Sequence, residues 1–241
     1  MKKSRGYVGQ RLVRLAHSFY YSFLDFIYPP LCLVCHKHLE PEMRFVCESC
    51  QAGFEVLHQP LLPISQLDIL FGKTVHFEHS LAIYHYSEAI QQLIHTMKYK
   101  NMPGLGNLFG NVLGDFIREH KYLQDIDLIL PVPLHTIRYR ERGFNQAAIL
   151  AHQIGSINKI EVDEKMLQRI RYTEQQAKFD KQARARNVQD AFRIRKKSMV
   201  AHKNVAIVDD VLTTGSTMNE CAKVLKEKGA KRITTITIVR I

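Results

Sequence analysis

Two adjacent carboxylates followed by hydroxyls and a glycine form the most chemically loaded stretch of the chain, Asp209-Asp210-Val211-Leu212-Thr213-Thr214-Gly215-Ser216-Thr217. Carboxylates accept hydrogen bonds from sugar hydroxyls and ligate metal ions. Threonine and serine hydroxyls beside the backbone N–H groups of a helix start make a phosphate cradle. The stretch therefore offers acids for a sugar, or a metal, and a nest for the sugar's phosphate. A plain αβ turn would use the same residues structurally, and the metal-binding strand of a P-loop ATPase would place acids similarly. A P-loop needs Gly-x-x-x-x-Gly-Lys-Ser/Thr. Only its tail occurs, as Gly72-Lys73-Thr74, with Leu67 where the first glycine belongs.

Cys32-x-x-Cys35 and Cys47-x-x-Cys50 form two knuckles eleven residues apart. Four thiolates close a tetrahedral zinc site and leave no open position for catalysis. Disulfides are the alternative, disfavoured by the paired spacing and by the lack of an export signal, since Arg14, His17 and Ser18 interrupt what would be its apolar core. His36 and His38 lie close enough to compete as ligands, but the cysteines fill the shell. Cys221, the fifth, is expected to be a buried small apolar residue. A third group is basic: Arg138, Arg140 and Arg142 precede Gly143-Phe144-Asn145-Gln146. Arginine forks match phosphate oxygens, so this loop suits a pyrophosphate, the alternative being a solvated basic loop.

The elements that position these groups read as follows. Val205-Ala206-Ile207-Val208, apolar without alternation, is a strand buried on both faces of a parallel sheet. Its carboxyl end is where ligands sit in open α/β sheets, so both acids are expected to face the ligand crevice. A helix follows over 218–226. Earlier strands are expected over 80–86 and 127–130, helices over 88–98 and 105–120, a further helix opened by Gly143-Phe144-Asn145-Gln146 and running through Ala147, Leu150, Ala151 and Ile154, and a last strand over 233–239. Residues 59–74 read as a joint between modules. Residues 193–197 read as a basic turn. Leu12, Leu15, Ala16, Phe19, Phe23 and Ile27 recur at helical spacing in an amphipathic helix ended by Pro29-Pro30. With basic residues before it, this helix could lie on a membrane surface, though docking on the protein's own core is favoured.

Composition sets the frame. With 241 residues, 46% of them hydrophobic and 24% charged, the chain suits one α/β domain plus a small module. Its formal net charge of +11 favours phosphates, nucleic acid or anionic membrane as partners without selecting among them. No span is long and apolar enough to cross a membrane, and a cytoplasmic location is expected.

The apolar strand, Asp209-Asp210 and the Thr-Thr-Gly-x-Thr turn resemble the phosphoribosyl pyrophosphate (PRPP) signature of type I phosphoribosyltransferases. A closer resemblance runs from about Pro30 to the C-terminus. The cysteine knuckles, Lys98-Tyr99, Pro131-Val132-Pro133-Leu134, Arg138-x-Arg140-Glu141-Arg142-Gly143-Phe144-Asn145-Gln146, Arg169-x-Arg171-x-Thr173-x-x-Gln176, Arg184-x-x-Asn187 and the PRPP motif occur in this order in the ComF family of competence-associated proteins. Phe179 stands where that family usually has leucine, an apolar exchange.

The resemblance implies an α/β protein of type I phosphoribosyltransferase fold with a mostly parallel sheet, preceded by a small zinc-ribbon module. The zinc ribbon would cover 31–58 and the phosphoribosyltransferase domain 75–241, with the amphipathic N-terminal helix, over 1–30, ahead of them. Asp209 and Asp210 would face the ribose 2′- and 3′-hydroxyls as the catalytic acids. Residues 213–217 would wrap the 5′-phosphate, with Val211 and Leu212 counted in the same PRPP-binding stretch and magnesium carried by PRPP. Residues 172–187, including Thr173, Gln176, Arg184 and Asn187, with Arg171 just before them, would form the loop that closes over PRPP. The sequence stops after its last strand, so a C-terminal hood is not expected. Implied partners are PRPP, single-stranded DNA and other competence proteins, and the amphipathic helix adds a peripheral membrane surface met by residues 1–30. Two kinds of function remain: PRPP binding in DNA uptake, or a phosphoribosyltransferase of nucleotide metabolism acting on an unidentified acceptor.

Overall fold

A computed structural model describes residues 29–72, 74–172, 188–195 and 200–241, and the chain forms two compact units, Met1–Gly53 and Phe54–Ile241. The amphipathic helix read over 1–30 lies, but for its last two residues, outside the described residues. In the first unit, a turn brings His36 N–H onto the Cys32 carbonyl at 2.9 Å, with His36 in the left-handed region at φ 58°. Leu31 bridges His38 across this turn, and Leu33 N–H donates to the Phe45 carbonyl at 2.8 Å. A short helix α1, Glu48–Ala52, carries Cys50.

The second unit is a six-stranded sheet with helices around it. In chain order its strands are β1 (Leu61–Pro63), β2 (His79–His85), β3 (Leu128–Pro131), β6 (Asn204–Val208), β7 (Val211–Leu212) and β8 (Arg232–Arg240). The spatial order is β1-β2-β8-β6-β3, with β7 also on β8. Every pairing is parallel except β1 with β2. Strands β3 and β6 are nearly unbroken apolar runs, and β8, paired with β2 on one side and β6 on the other, buries Thr234, Thr235 and Thr237 among its apolar residues.

Residues 59–74, expected to be a joint, instead hold β1 and helix α2 (Ile64–Phe71). Leu62 and Leu67 enter the core with Phe77, Leu130 and Ile207. Pro60 precedes and Pro63 ends a three-residue edge strand, a place in a sheet that tolerates proline. Gly72 ends α2 in the left-handed conformation, its N–H donating to the Asp68 carbonyl at 2.9 Å. The Gly-Lys-Thr stretch therefore begins at a helix C-terminus, opposite to a phosphate-binding P-loop.

Helix α3 (Glu88–Tyr99) starts under a Ser87 cap and buries Ile90, Leu93, Ile94 and Met97. Helix α4 (Pro103–His120) presents Gly106, Gly110 and Gly114 to helix α6 (Gln146–Asn158). A Cβ at Gly110 or Gly114 would fall 2.7 Å from Gln153 or Ile157 side-chain atoms, so this glycine seam sets how closely the helices pack. Between β3 and α6 lies helix α5 (Thr136–Arg142), where the sequence suggested a loop. Outside the main sheet, β4 (Leu167–Arg169) pairs antiparallel with β5 (Phe192–Ile194). Part of the expected basic turn is thus strand, because Phe192 is buried while Arg193 points outward to Gln168 Oε1 at 3.1 Å. Helix α7 (Ser216–Glu227) returns the chain from β7 to β8.

Candidate functional site

The acids sit inside a strand line rather than beyond its end. Register relates Val208 to Ile236 and Val211 to Val239, the same offset, so β7 resumes the ladder that β6 began. Across the interruption Asp209 N–H donates to the Ile236 carbonyl and the Asp210 carbonyl accepts from Ile238 N–H, both at 3.0 Å. On the other side β3 leaves the sheet at Val132, whose N–H donates to the Val208 carbonyl at 2.8 Å. Beyond Val208, β3 no longer pairs with the strand line that carries Asp209 and Asp210, and α5 follows from it. Asn145 fixes that route: its Nδ2 donates to the Val132 carbonyl at 3.0 Å and its Oδ1 accepts from Ala147 N–H at the start of α6.

The two acids differ. Asp210 is only 4% exposed, and its Oδ2 lies 2.5 Å from Lys98 Nζ on α3. It is a buried ionic group, where the sequence placed both acids toward the crevice. Asp209 is half-buried, and its Oδ1 accepts from Asp210 N–H at 2.9 Å. Burial, then the neighbouring Asp210 charge, pushes the Asp209 carboxyl up to about 7, against the opposing pull of Lys98. Burial alone would lower the Lys98 ammonium, but Asp210, with Asp209 behind it, holds it above its ordinary value. Cys221 is fully buried in the core and burial keeps it a neutral thiol, as its residue type suggested.

The turn after the acids leads directly into α7. Gly215 is the N-cap with φ 66°, left-handed backbone that favours glycine, and the Phe71 ring lies 3.2 Å from where its Cβ would be. Ser216 is buried and begins the helix, two residues earlier than its apolar periodicity indicated. Thr214 Oγ1 and Ser216 Oγ are 3.0 Å apart, Thr213 is exposed and Thr217 half-buried. Hydroxyls and first-turn N–H groups thus converge at the positive end of a twelve-residue helix.

Helix α5 sorts the arginines. Arg138 and Arg142, four residues apart, are half-buried on one face, and Arg140 is exposed. Arg142 stacks 5.6 Å from the Tyr99 ring centroid and donates to Gln146 Oε1 at 2.5 Å. Arg138 lies 5.9 Å from the Tyr172 ring centroid and pairs with Glu141 at 3.1 Å. Arg171 donates to the Gln189 carbonyl at 2.5 Å. Thr173, Gln176, Arg184 and Asn187 lie outside the described residues. Lys98 was not singled out as a site residue, although the spacing Ile90, Ile94, Lys98 continues the buried ridge of α3 and marks it as unusual.

In the first unit the Sγ atoms of Cys32, Cys35, Cys47 and Cys50 all lie within 4.8 Å of one another, and all are free thiols. Cys32 Sγ accepts from Val34 N–H and Cys47 N–H, each at 3.4 Å. Such N–H···S bonds stabilise a thiolate, so this donor set fits a structural zinc ion. His36 and His38 are exposed and outside the cluster.

A family model described as a phosphoribosyl transferase domain matches residues 140–240, and one described as a double zinc ribbon domain matches residues 23–61. Competence protein F of Haemophilus influenzae is 32% identical over 161 residues, covering 65% of this chain and 70% of that protein. DNA utilization protein YhgH of Salmonella typhimurium is 28% identical over 220 residues, covering 85% and 94%. Competence protein ComFC of Streptococcus pneumoniae is 25% identical over 231 residues, covering 87% and 99%. With the mostly parallel sheet and the thiol cluster, these matches give a phosphoribosyltransferase fold preceded by a zinc-ribbon module.

Proposed function

The chain belongs to the ComF family of competence-associated proteins, and from that premise we propose that its larger unit binds magnesium–PRPP in the service of DNA uptake and natural transformation. The observation that carries this reading is the continuity of β6, the acid pair, β7 and the Gly215-capped start of α7, which sets carboxylates and a phosphate nest along one stretch of backbone. Asp209 and Asp210 accept from the ribose 2′- and 3′-hydroxyls. Residues 213–217 hold the 5′-phosphate, and Val211 and Leu212 of β7 carry the chain into that turn. Arg138 and Arg142 face the diphosphate, while Arg140 stays in solvent. Magnesium, arriving with PRPP, supplies neutralisation of the diphosphate charge. Arg171, Thr173, Gln176, Arg184 and Asn187 belong to the segment proposed to close over the ligand.

Calorimetric titration should show one PRPP site per chain that needs magnesium. Absence of binding with the metal present would sink the reading. The pair of acids also favours a second possibility, turnover, in which an acceptor displaces pyrophosphate at ribose C1 as in nucleotide metabolism. Release of pyrophosphate from PRPP in the presence of bases or single-stranded DNA would establish it.

The net charge of +11 supports single-stranded DNA as a partner. Affinity for an oligonucleotide should fall steeply between low and moderate salt, because each neutralised phosphate releases counterions. Binding that ignores salt, or no binding, would leave the basic charge to serve PRPP or a membrane. The same reading puts the protein in the cytoplasm, with residues 1–30 as a peripheral membrane contact and other competence proteins as partners. Among the described residues no helix is long and apolar enough to cross a membrane.

A further inference from the structure

We propose that Lys98 is a ligand-switched residue of this site, neutralising Asp210 in the free protein and passing to the diphosphate of a bound sugar phosphate beside Arg142. The inference rests on the PRPP reading above and adds a residue and a movement to it.

Three observations carry it. First, Lys98 reaches Asp210 from α3, an element outside the strand, turn and helix that define the acid site, and only 15% of its side chain is exposed. Second, Lys98 pairs with Asp210, next to Asp209, while Arg142 stacks on the ring of Tyr99, the residue that follows Lys98. Two cations therefore already converge beside two acids. Third, Arg142 is held by neutral groups, Gln146 Oε1 and the Tyr99 ring, and among the described residues no carboxylate lies within ion-pair distance of it. Its charge is open to an incoming anion.

In the free protein Asp210 needs Lys98, because a buried carboxylate without a partner is costly. Ribose hydroxyls, once bound, donate to Asp210 and meet that need. The ammonium then gains more from an oxygen of the highly charged diphosphate, which the neighbouring Arg142 also attracts. Lys98 lies in the last turn of α3, one residue before its end, and its stem has the rotatable bonds to make the exchange. Ribose 5-phosphate offers the same hydroxyls and 5′-phosphate but no diphosphate. Lys98 should therefore discriminate between the two ligands.

The test is the ratio of PRPP to ribose 5-phosphate affinity, measured by calorimetry with magnesium on the full chain and on Lys98→Met, Lys98→Arg and the double variant Lys98→Met with Asp210→Asn. The double variant removes both charges of the buried pair, so it keeps the test alive should the single methionine variant fail to fold. The ratio cancels any loss that Asp210→Asn imposes on both ligands. In both methionine variants the ratio should fall about tenfold or more, the effect of losing one charge-assisted hydrogen bond, and arginine should restore most of it. An unchanged ratio in a protein that still binds PRPP overturns the role of Lys98 and leaves the site reading intact. Wild-type protein that binds neither ligand overturns both.

Discussion

Stripping zinc from the full chain should unfold the cysteine module while the larger unit keeps its structure. Among the described residues of that module the only buried aliphatic side chains are Leu39 and Val46, with Cys32 beside them. At roughly 1.5–3 kcal/mol per buried aliphatic side chain, these fall far short of the cost of ordering such a segment. The module is held instead by a donor set whose sulfur atoms all lie within 4.8 Å. Zinc binding of this kind is worth about 10–16 kcal/mol in isolated zinc-finger peptides near neutral pH, and that free energy is folding free energy. Metal analysis should find one zinc per chain, and Cys47→Ser or Cys50→Ser should behave like chelation. Because thiolates must be deprotonated to ligate, acidification should release the metal with the same result. Amide spectra would decide the matter: a metal-free protein with dispersed signals from residues 31–53 removes zinc from the argument. The larger unit should be indifferent to chelation, since its core is built from its own strands and helices.

What could be read from residues alone follows from how each element is stabilised. Strand β6 was visible because burial on both faces writes an apolar run, and β8 because Ile233, Ile236, Ile238 and Val239 recur among β-branched threonines. Helix α3 was visible because its cap and apolar stripe agree. By contrast β1, β4 and β5 are three residues each, too short for periodicity, and their partners lie far along the chain or across a segment without apolar pattern. Helix α5 has no buried residue, so its arginines looked like a loop, yet helical spacing is what divides Arg138 and Arg142 from Arg140. The acid pair and phosphate turn were legible because their chemistry is contiguous. The partner of Asp210 was not, because Lys98 meets it only when α3 packs beside the sheet. The same contact separates two acids that sequence treats alike.

That separation yields the prediction with the largest contrast between neighbouring positions. Asp210→Asn should lower the melting temperature, because it strands the Lys98 ammonium in a largely buried place, and breaking such a pair costs about 3–5 kcal/mol. Asp209→Asn should do the reverse near neutral pH. Its carboxyl is pushed from an ordinary 3.8 up to about 7, first by burial and then by the Asp210 charge. Between those values the folded state holds a proton that the unfolded state has released, so stability falls as pH rises through this window. Above about 7 both states are ionised and the penalty is constant. The asparagine variant never ionises, so its advantage over wild type should be absent near pH 4, grow toward pH 7 and then level off. Both variants should lose PRPP affinity, by about tenfold or more for one charge-assisted hydrogen bond and about a hundredfold for the pair. Ligand hydroxyls favour the ionised carboxylate, so wild-type affinity should rise with pH up to about 7, as Asp209 loses its proton. Thermal melts at pH 4.5 and pH 8, run beside calorimetry with PRPP and magnesium, separate the outcomes. Equal destabilisation by the two substitutions would mean that Asp209 is as structural as Asp210, and unchanged affinity in both would move the PRPP site elsewhere.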